Sequence, residues 1–141
     1  LSIEAMLKRP SVRLSEAHED DLADKDCLII DSFGLLSSIY RYGQIAYIGG
    51  GFGAGIHNTL EAAVYGMPVL FGPRYHKFKE AKDLIAVGGG FSITDDSTFR
   101  TKMDELLTDP TALETSGQAA GDFVKNSVGA TDQILRQIHI R

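Results

Sequence analysis

The stretch Ile45-Ala46-Tyr47-Ile48-Gly49-Gly50-Gly51-Phe52-Gly53-Ala54-Gly55-Ile56-His57-Asn58-Thr59-Leu60-Glu61-Ala62-Ala63-Val64-Tyr65-Gly66-Met67-Pro68-Val69-Leu70-Phe71-Gly72-Pro73 decides the fold. It reads as strand, glycine-rich turn, helix, stop and strand. Ile45 to Ile48 is a short apolar run of the kind a parallel strand buried on both faces carries. Helical spacing from about His57 to Tyr65 sets Leu60, Ala63 and Val64 on a core face, and Gly66 stops it. Met67 to Phe71 is the next apolar strand, with Pro68 near its start, where a missing N–H is tolerated. Two such strands joined through a helix make the repeating unit of a parallel sheet.

The same alternation extends in both directions. Upstream, Ile3, Met6 and Leu7 have helical spacing that Pro10 ends, and Val12 to Leu14 is a short strand. His18 to Asp26 holds five acids and reads as a solvated loop. Cys27 to Ile30 is a buried strand closed by Asp31-Ser32, and Leu35 to Tyr42 has helical spacing with Gly43 as its stop. Downstream, Lys77 to Val87 is an amphipathic helix and Gly89 to Thr94 a short strand. Asp95-Asp96-Ser97 then caps a helix to about Leu107. Residues 109–141 read as two C-terminal helices, broken at Gly117 to Gly121 and at Gly129. The expected fold is a doubly wound α/β domain with helices on both faces of a parallel sheet. Ligands in such sheets sit beyond the carboxyl ends of the strands. The informative turns are therefore Asp31 to Gly34, Gly49 to Asn58, and Gly72 to Phe78.

Composition bounds the function. A chain of 141 residues makes one ordinary domain, and 43% apolar with 23% charged residues is typical of a soluble globular protein. The formal net charge of −5 argues against nonspecific nucleic-acid binding, which needs a basic surface. Cys27 is the single cysteine, so no disulfide forms within the chain. It reads as a buried thiol of a reducing compartment. No apolar run is long enough to span a bilayer. A start on Leu1 inside helical spacing suggests part of a longer protein.

Five of the seven residues from Gly49 to Gly55 are glycine. Glycines let a ligand approach the backbone, and free N–H groups at the start of a following helix suit phosphate. A tight connector with no ligand is the other reading. The turn lacks the Gly-Lys-Ser/Thr of a triphosphate loop, and the match to a dinucleotide fingerprint is poor. Asn58 and Glu61 are three apart and share a helix face. Glu61 is either a capping partner or an acceptor for a ribose diol, and Asn58 either a cap or a phosphate contact. His57 reads equally as a cap or a packed ring.

These residues resemble a known family. Tyr47-Ile48-Gly49-Gly50-Gly51, His57-Asn58-Thr59-Leu60-Glu61-Ala62-Ala63, Gly72-Pro73 and Lys77-Phe78-Lys79-Glu80 together resemble the C-terminal, donor-binding domain of 3-deoxy-D-manno-octulosonic acid (Kdo) transferases. Asp31-Ser32-Phe33-Gly34 is similar to a further turn of that family. The likeness runs from about residue 27 to 108, and departs from the family pattern at Leu35, Ile56 and Thr59.

The resemblance implies the Rossmann-like C-terminal half of a GT-B glycosyltransferase, without its first strand, with residues 1–141 as a donor-binding domain. It implies a CMP-Kdo donor and a lipid A precursor as acceptor, in lipopolysaccharide synthesis. The parent enzyme would work at the cytoplasmic face of the bacterial inner membrane, while this chain itself would be soluble. The donor nucleotide would meet Ser32, Phe33, Gly34, Gly49, Gly50, Gly51, His57, Asn58, Glu61 and Lys77. Lys77 and Phe78 would reach the donor sugar or its carboxylate, an ordinary solvated helix start being the alternative for Lys77. No metal and no cofactor are implied. The catalytic base and the acceptor site would belong to an N-terminal half outside this chain. A GT-B transferase using a UDP-sugar, or a non-catalytic nucleotide-binding α/β module, are the competing functions.

Overall fold

Val69, Leu70 and Phe71 have no accessible surface at all, and they form the middle strand of a parallel sheet. The structure is a computed structural model that describes residues 11–13, 27–29, 39–53, 55–56 and 58–139. The chain divides into two units, Leu1–Ser38 and Ile39–Arg141. In the first, β1 (Ser11–Arg13) and β2 (Cys27–Ile29) pair in parallel with Ser11 opposite Cys27. This places strands where the apolar runs predict them. The Cys27 thiol is free but half-buried rather than sequestered, and Leu28 beside it is exposed.

The second unit runs from a 3-10 turn (Tyr40–Tyr42) through β3 (Ala46–Ile48), α1 (Leu60–Ala63), β4 (Val69–Phe71), α2 (Lys79–Val87), β5 (Gly90–Ser92), α3 (Asp96–Thr108) and α4 (Pro110–His139). Its sheet order is β3-β4-β5, parallel throughout, with Ala46 opposite Val69 and Val69 opposite Gly90. Side chains alternate across β4. Val69 and Phe71 join Ala46, Ile48, Ala62, Ala63, Ala81 and Leu84 on one face. Leu70 joins Ile93 and Leu106 on the other, with Phe91, Phe99, Met103 and Leu113 packed around them. α1 and α2 thus cover one face and α3 the other, and α4 contributes Ala120 and Val124 to the first cluster and Leu113 to the second. This is the α/β architecture expected, a parallel sheet with helices on both faces.

Local chemistry sets the element ends. Asp95 caps α3: its carboxylate accepts from the Thr98 N–H at 2.8 Å, and Thr98 Oγ1 accepts from the Asp95 N–H at 3.1 Å. This is a reciprocal capping box at the place the sequence predicts. α2 ends at Gly88, whose φ of +85° is a conformation that side chains with a Cβ rarely adopt. The Gly89 N–H then returns to the Leu84 carbonyl at 2.9 Å.

Three expectations need correction. Tyr47 is 47% exposed, because β3 is an edge strand of its sheet and only Ala46 and Ile48 face the core. The helix after the glycine turn has only four residues, Leu60–Ala63, so Ala62 and Ala63 take the core positions and Val64 is exposed. The two C-terminal helices are one, α4, of 30 residues. Gly117 and Gly121 are not breaks. They let α4 lie against the Gly66 backbone: a Cβ on Gly117 would strike the Gly66 carbonyl oxygen, and one on Gly121 would come within 3.3 Å of Gly66 Cα. Ala120 packs as closely on Gly89, where a Cβ would come within 2.7 Å of Ala120 Cα. Among the described residues, no helix is long and apolar enough to cross a membrane.

Candidate functional site

β3 and β4 are parallel neighbours, so their carboxyl ends leave the sheet side by side. β3 runs directly into the glycine-rich turn and β4 into Gly72-Pro73-Arg74. The two turns touch backbone to backbone. A Cβ on Gly51 would come within 2.6 Å of Gly72 Cα, and a Cβ on Gly72 within 2.6 Å of the Gly51 carbonyl carbon. Two residues in van der Waals contact need ~3.5–4.0 Å between carbons. Part of the glycine content is therefore a packing requirement. Gly50, with φ of +91°, turns the chain, and its carbonyl accepts from the N–H groups of Gly53 and Gly55, both at 3.0 Å.

Arg74 fastens the turn from the opposite side. Its backbone N–H donates to the Gly51 carbonyl at 2.8 Å, and its Nη1 donates to the Gly53 carbonyl at 2.9 Å. Sequence reasoning did not single out Arg74. Its only signal was a position three residues beyond the end of a buried strand. The loop then folds back, and the Phe78 ring rests on Gly55, where a Cβ would meet Phe78 Cε2 at 3.0 Å.

Two of the hollows at this end of the sheet share Phe78 as a lining residue. The larger, about 350 Å³, is lined by Ile56, Asn58, Thr59, Leu60, Phe78 and Glu80. The smaller, about 260 Å³, is lined by Gly55, Pro73, Arg74, His76, Lys77 and Phe78. Asn58 Oδ1 accepts from the Leu60 N–H at 2.9 Å, as a residue beginning a helix does. The side-chain NH2 of Asn58 has no protein partner among the described residues and is free to donate.

The structure brings some of the predicted residues together and not others. Gly49, Gly50 and Gly51 form the turn, Asn58 lines the larger hollow, and Lys77 lines the smaller. Glu61 is exposed on α1 but lines neither hollow. Its charge is felt at Tyr40, whose phenol is pushed above its ordinary value first by burial and second by Glu61. Ser32, Phe33, Gly34 and His57 lie outside the described residues. Glu80, in the larger hollow, belongs to the Lys77-Phe78-Lys79-Glu80 stretch but drew no site role from the sequence, because it looks like any charged residue in the first turn of an amphipathic helix. No cluster of three or more His, Cys, Asp or Glu with metal-holding geometry occurs among the described residues.

Comparison with known proteins places this geometry. The chain is 39% identical over 85 residues to the 3-deoxy-D-manno-octulosonic acid transferase of Aquifex aeolicus, covering 59% of this chain and 24% of that protein. It is 33% identical over 116 residues to the transferase of the same name from Rickettsia conorii, covering 80% of this chain and 25% of the relative. With the Bordetella pertussis transferase it shares 32% over 112 residues, covering 78% and 26%. The chain therefore spans about a quarter of the length of these curated relatives. Among solved structures it is similar to the C-terminal CMP-Kdo binding domain of WaaA from Acinetobacter baumannii. The TM-score is 0.74 at 27% identity, covering 86% of this chain and 64% of that one. No protein-family model matches the chain. The resemblance read in the sequence is borne out, and so is the fold: this is the α/β architecture of the C-terminal half of a GT-B protein.

Proposed function

We propose that the chain is the donor-binding part of a Kdo transferase and holds the cytidine nucleotide of CMP-Kdo at the carboxyl ends of β3 and β4. One observation carries the reading. The chain matches a CMP-Kdo binding domain over most of its length, and its two hollows and glycine turn gather at the edge where such sheets take their ligands. The nucleotide phosphate lies against the backbone of Gly49, Gly50 and Gly51, within reach of the Asn58 side-chain NH2. Glu61, near the start of α1, accepts from the ribose hydroxyls.

The chemistry asked of this half is modest and specific. As the bond between sugar and phosphate breaks, negative charge builds on the departing CMP. Amide donors already fixed in place stabilise that charge without reorganising. Arg74 fixes them, since it ties Gly51 and Gly53 to the β4 loop. With four residues, α1 adds little dipole, so the work falls on the individual amide groups. The acceptor is a lipid A precursor, in lipopolysaccharide synthesis at the cytoplasmic face of the inner membrane. The acceptor hydroxyl loses its proton to a base from a part of the protein outside this chain.

Isothermal titration of the 141-residue chain with CMP tests the assignment. CMP binds, UDP competes less well, and Asn58→Ala and Glu61→Ala each weaken CMP. Undiminished affinity in both variants removes the site. Sugar transfer by the chain alone contradicts the placement of the base elsewhere.

A further inference from the structure

We infer that Arg74 is a positioning residue that sets the polarity of the glycine turn. By holding the Gly51 and Gly53 carbonyls, it makes the turn show N–H groups rather than carbonyl oxygens to an anion, without touching the anion itself. The inference rests on the donor-binding reading above and deepens it, because it adds the Phe52 N–H to the donors and says what aims them.

Peptide geometry carries the argument. A trans peptide is planar, so its C=O and its N–H point in opposite directions. Turning a carbonyl one way turns the N–H of the next residue the other way. The Gly50 carbonyl points into the turn, where it accepts from the Gly53 and Gly55 N–H groups, both at 3.0 Å. The Gly51 N–H therefore points out of the turn. The Gly51 carbonyl points to the β4 loop, where the Arg74 N–H donates to it at 2.8 Å. The Phe52 N–H therefore points away from β4, on the side of the open edge of β3. Neither N–H has an acceptor among the described residues. The Gly53 carbonyl in turn accepts from Arg74 Nη1 at 2.9 Å. Three carbonyl oxygens of the turn are thus occupied by the protein, and two N–H groups are left for a ligand. Successive outward N–H groups of this kind form an anion-binding concavity.

Glycines alone do not hold that arrangement. Glycine adopts positive and negative φ with similar ease, so a glycine peptide turns over at little steric cost. Gly50 already sits at φ of +91°. A peptide turned over at Gly51 would set a carbonyl dipole where an N–H had been and exchange attraction for repulsion. Arg74 opposes this at two points, one on either side of Phe52: its backbone bonds the Gly51 carbonyl and its side chain the Gly53 carbonyl. Among the described residues, no other side chain donates to the turn. A hydrogen bond from a charged donor is stronger than one between neutral groups, which suits a tether across an exposed loop. The contact between Gly51 and Gly72 keeps the β4 loop alongside, so the tether stays short.

Amide NMR of the 141-residue chain, with CMP and cytidine as ligands, tests the role. In the wild type, CMP moves the Gly51 and Phe52 amide protons downfield and cytidine does not. Arg74→Met weakens CMP roughly tenfold, the effect of one charge-assisted hydrogen bond, and leaves cytidine affinity unchanged. In the ligand-free variant the Gly53 and Gly55 amides, held by the Gly50 carbonyl, exchange with solvent several-fold faster. Arg74 is exposed, so the variant folds, which thermal melts check. A loss of CMP affinity with Gly53 and Gly55 exchange unaltered would make Arg74 a direct phosphate contact and refute the positioning role. Unchanged CMP affinity, or an equal loss for cytidine, refutes it as well and leaves the donor reading standing. A wild type whose Gly51 and Phe52 amides ignore CMP refutes the phosphate cradle and this inference with it.

Discussion

Replacing Gly51 by Ala separates a turn that is glycine-rich for closeness from one that is glycine-rich for flexibility. The added methyl would sit 2.6 Å from Gly72 Cα and 2.9 Å from the Gly72 carbonyl carbon. That is about 1 Å inside a normal carbon–carbon contact. The obstacle is backbone at the exit of the fully buried β4, so no side chain can swing aside. Overpacking of this kind costs ~1–3 kcal/mol, and a backbone obstacle puts Gly51→Ala at the upper end. For a unit of about this size the melting temperature should drop by roughly 10 °C. Gly53→Ala is the internal control. Its nearest contact would be the Gly50 carbonyl oxygen at 3.8 Å, an ordinary distance, and its φ lies outside the left-handed region. It should leave stability unchanged or raise it by a few tenths of a kcal/mol, through reduced freedom of the unfolded chain. Urea unfolding followed by circular dichroism measures both. Equal losses in the two variants, or none in Gly51→Ala, would refute the close-approach argument.

Three further outcomes follow from single contacts. Gly117→Ala in α4 should lower the melting temperature even though Ala is the better helix former by about 1 kcal/mol, because the new methyl meets the Gly66 carbonyl; a rise in stability would mean α4 does not dock there. Asp95→Ala should lower the melting temperature at neutral pH. The hydrogen bonds from Thr98 hold the Asp95 carboxyl below its ordinary 3.8, so the stabilisation is present above that value and fades as pH falls through the folded-state value. The gap between wild type and Asp95→Ala should therefore close at low pH, and a constant gap would contradict the cap. Glu61→Gln should lower the titration point of Tyr40, followed by NMR, but leave it above 10.0, because burial is the larger cause. An unmoved Tyr40 would place the Glu61 carboxylate elsewhere.

The parts of the fold that depend on short-range pattern were legible in the sequence. The apolar runs of β3 and β4 and the Asp95-Asp96-Ser97 start of α3 are local signals, and each appears in its place. The errors share a cause. Gly117 and Gly121 break a helix by propensity, but here they permit a close crossing with Gly66, a partner some 50 residues away in sequence. The close approach of Gly51 to Gly72 likewise has no local signal. Arg74 looks like any charged loop residue until the fold sets it 2.9 Å from Gly53. Tertiary proximity decides all of these, and no local pattern encodes it.

The central claim is that fixed backbone amides at the carboxyl end of β3 grip a nucleotide phosphate. A crystal structure of the chain grown with CMP tests it most directly. The account predicts the phosphate within hydrogen-bonding distance of the Gly49 to Gly51 backbone and the Asn58 side-chain nitrogen. Phosphate density elsewhere on the sheet, with that turn bare, would contradict it.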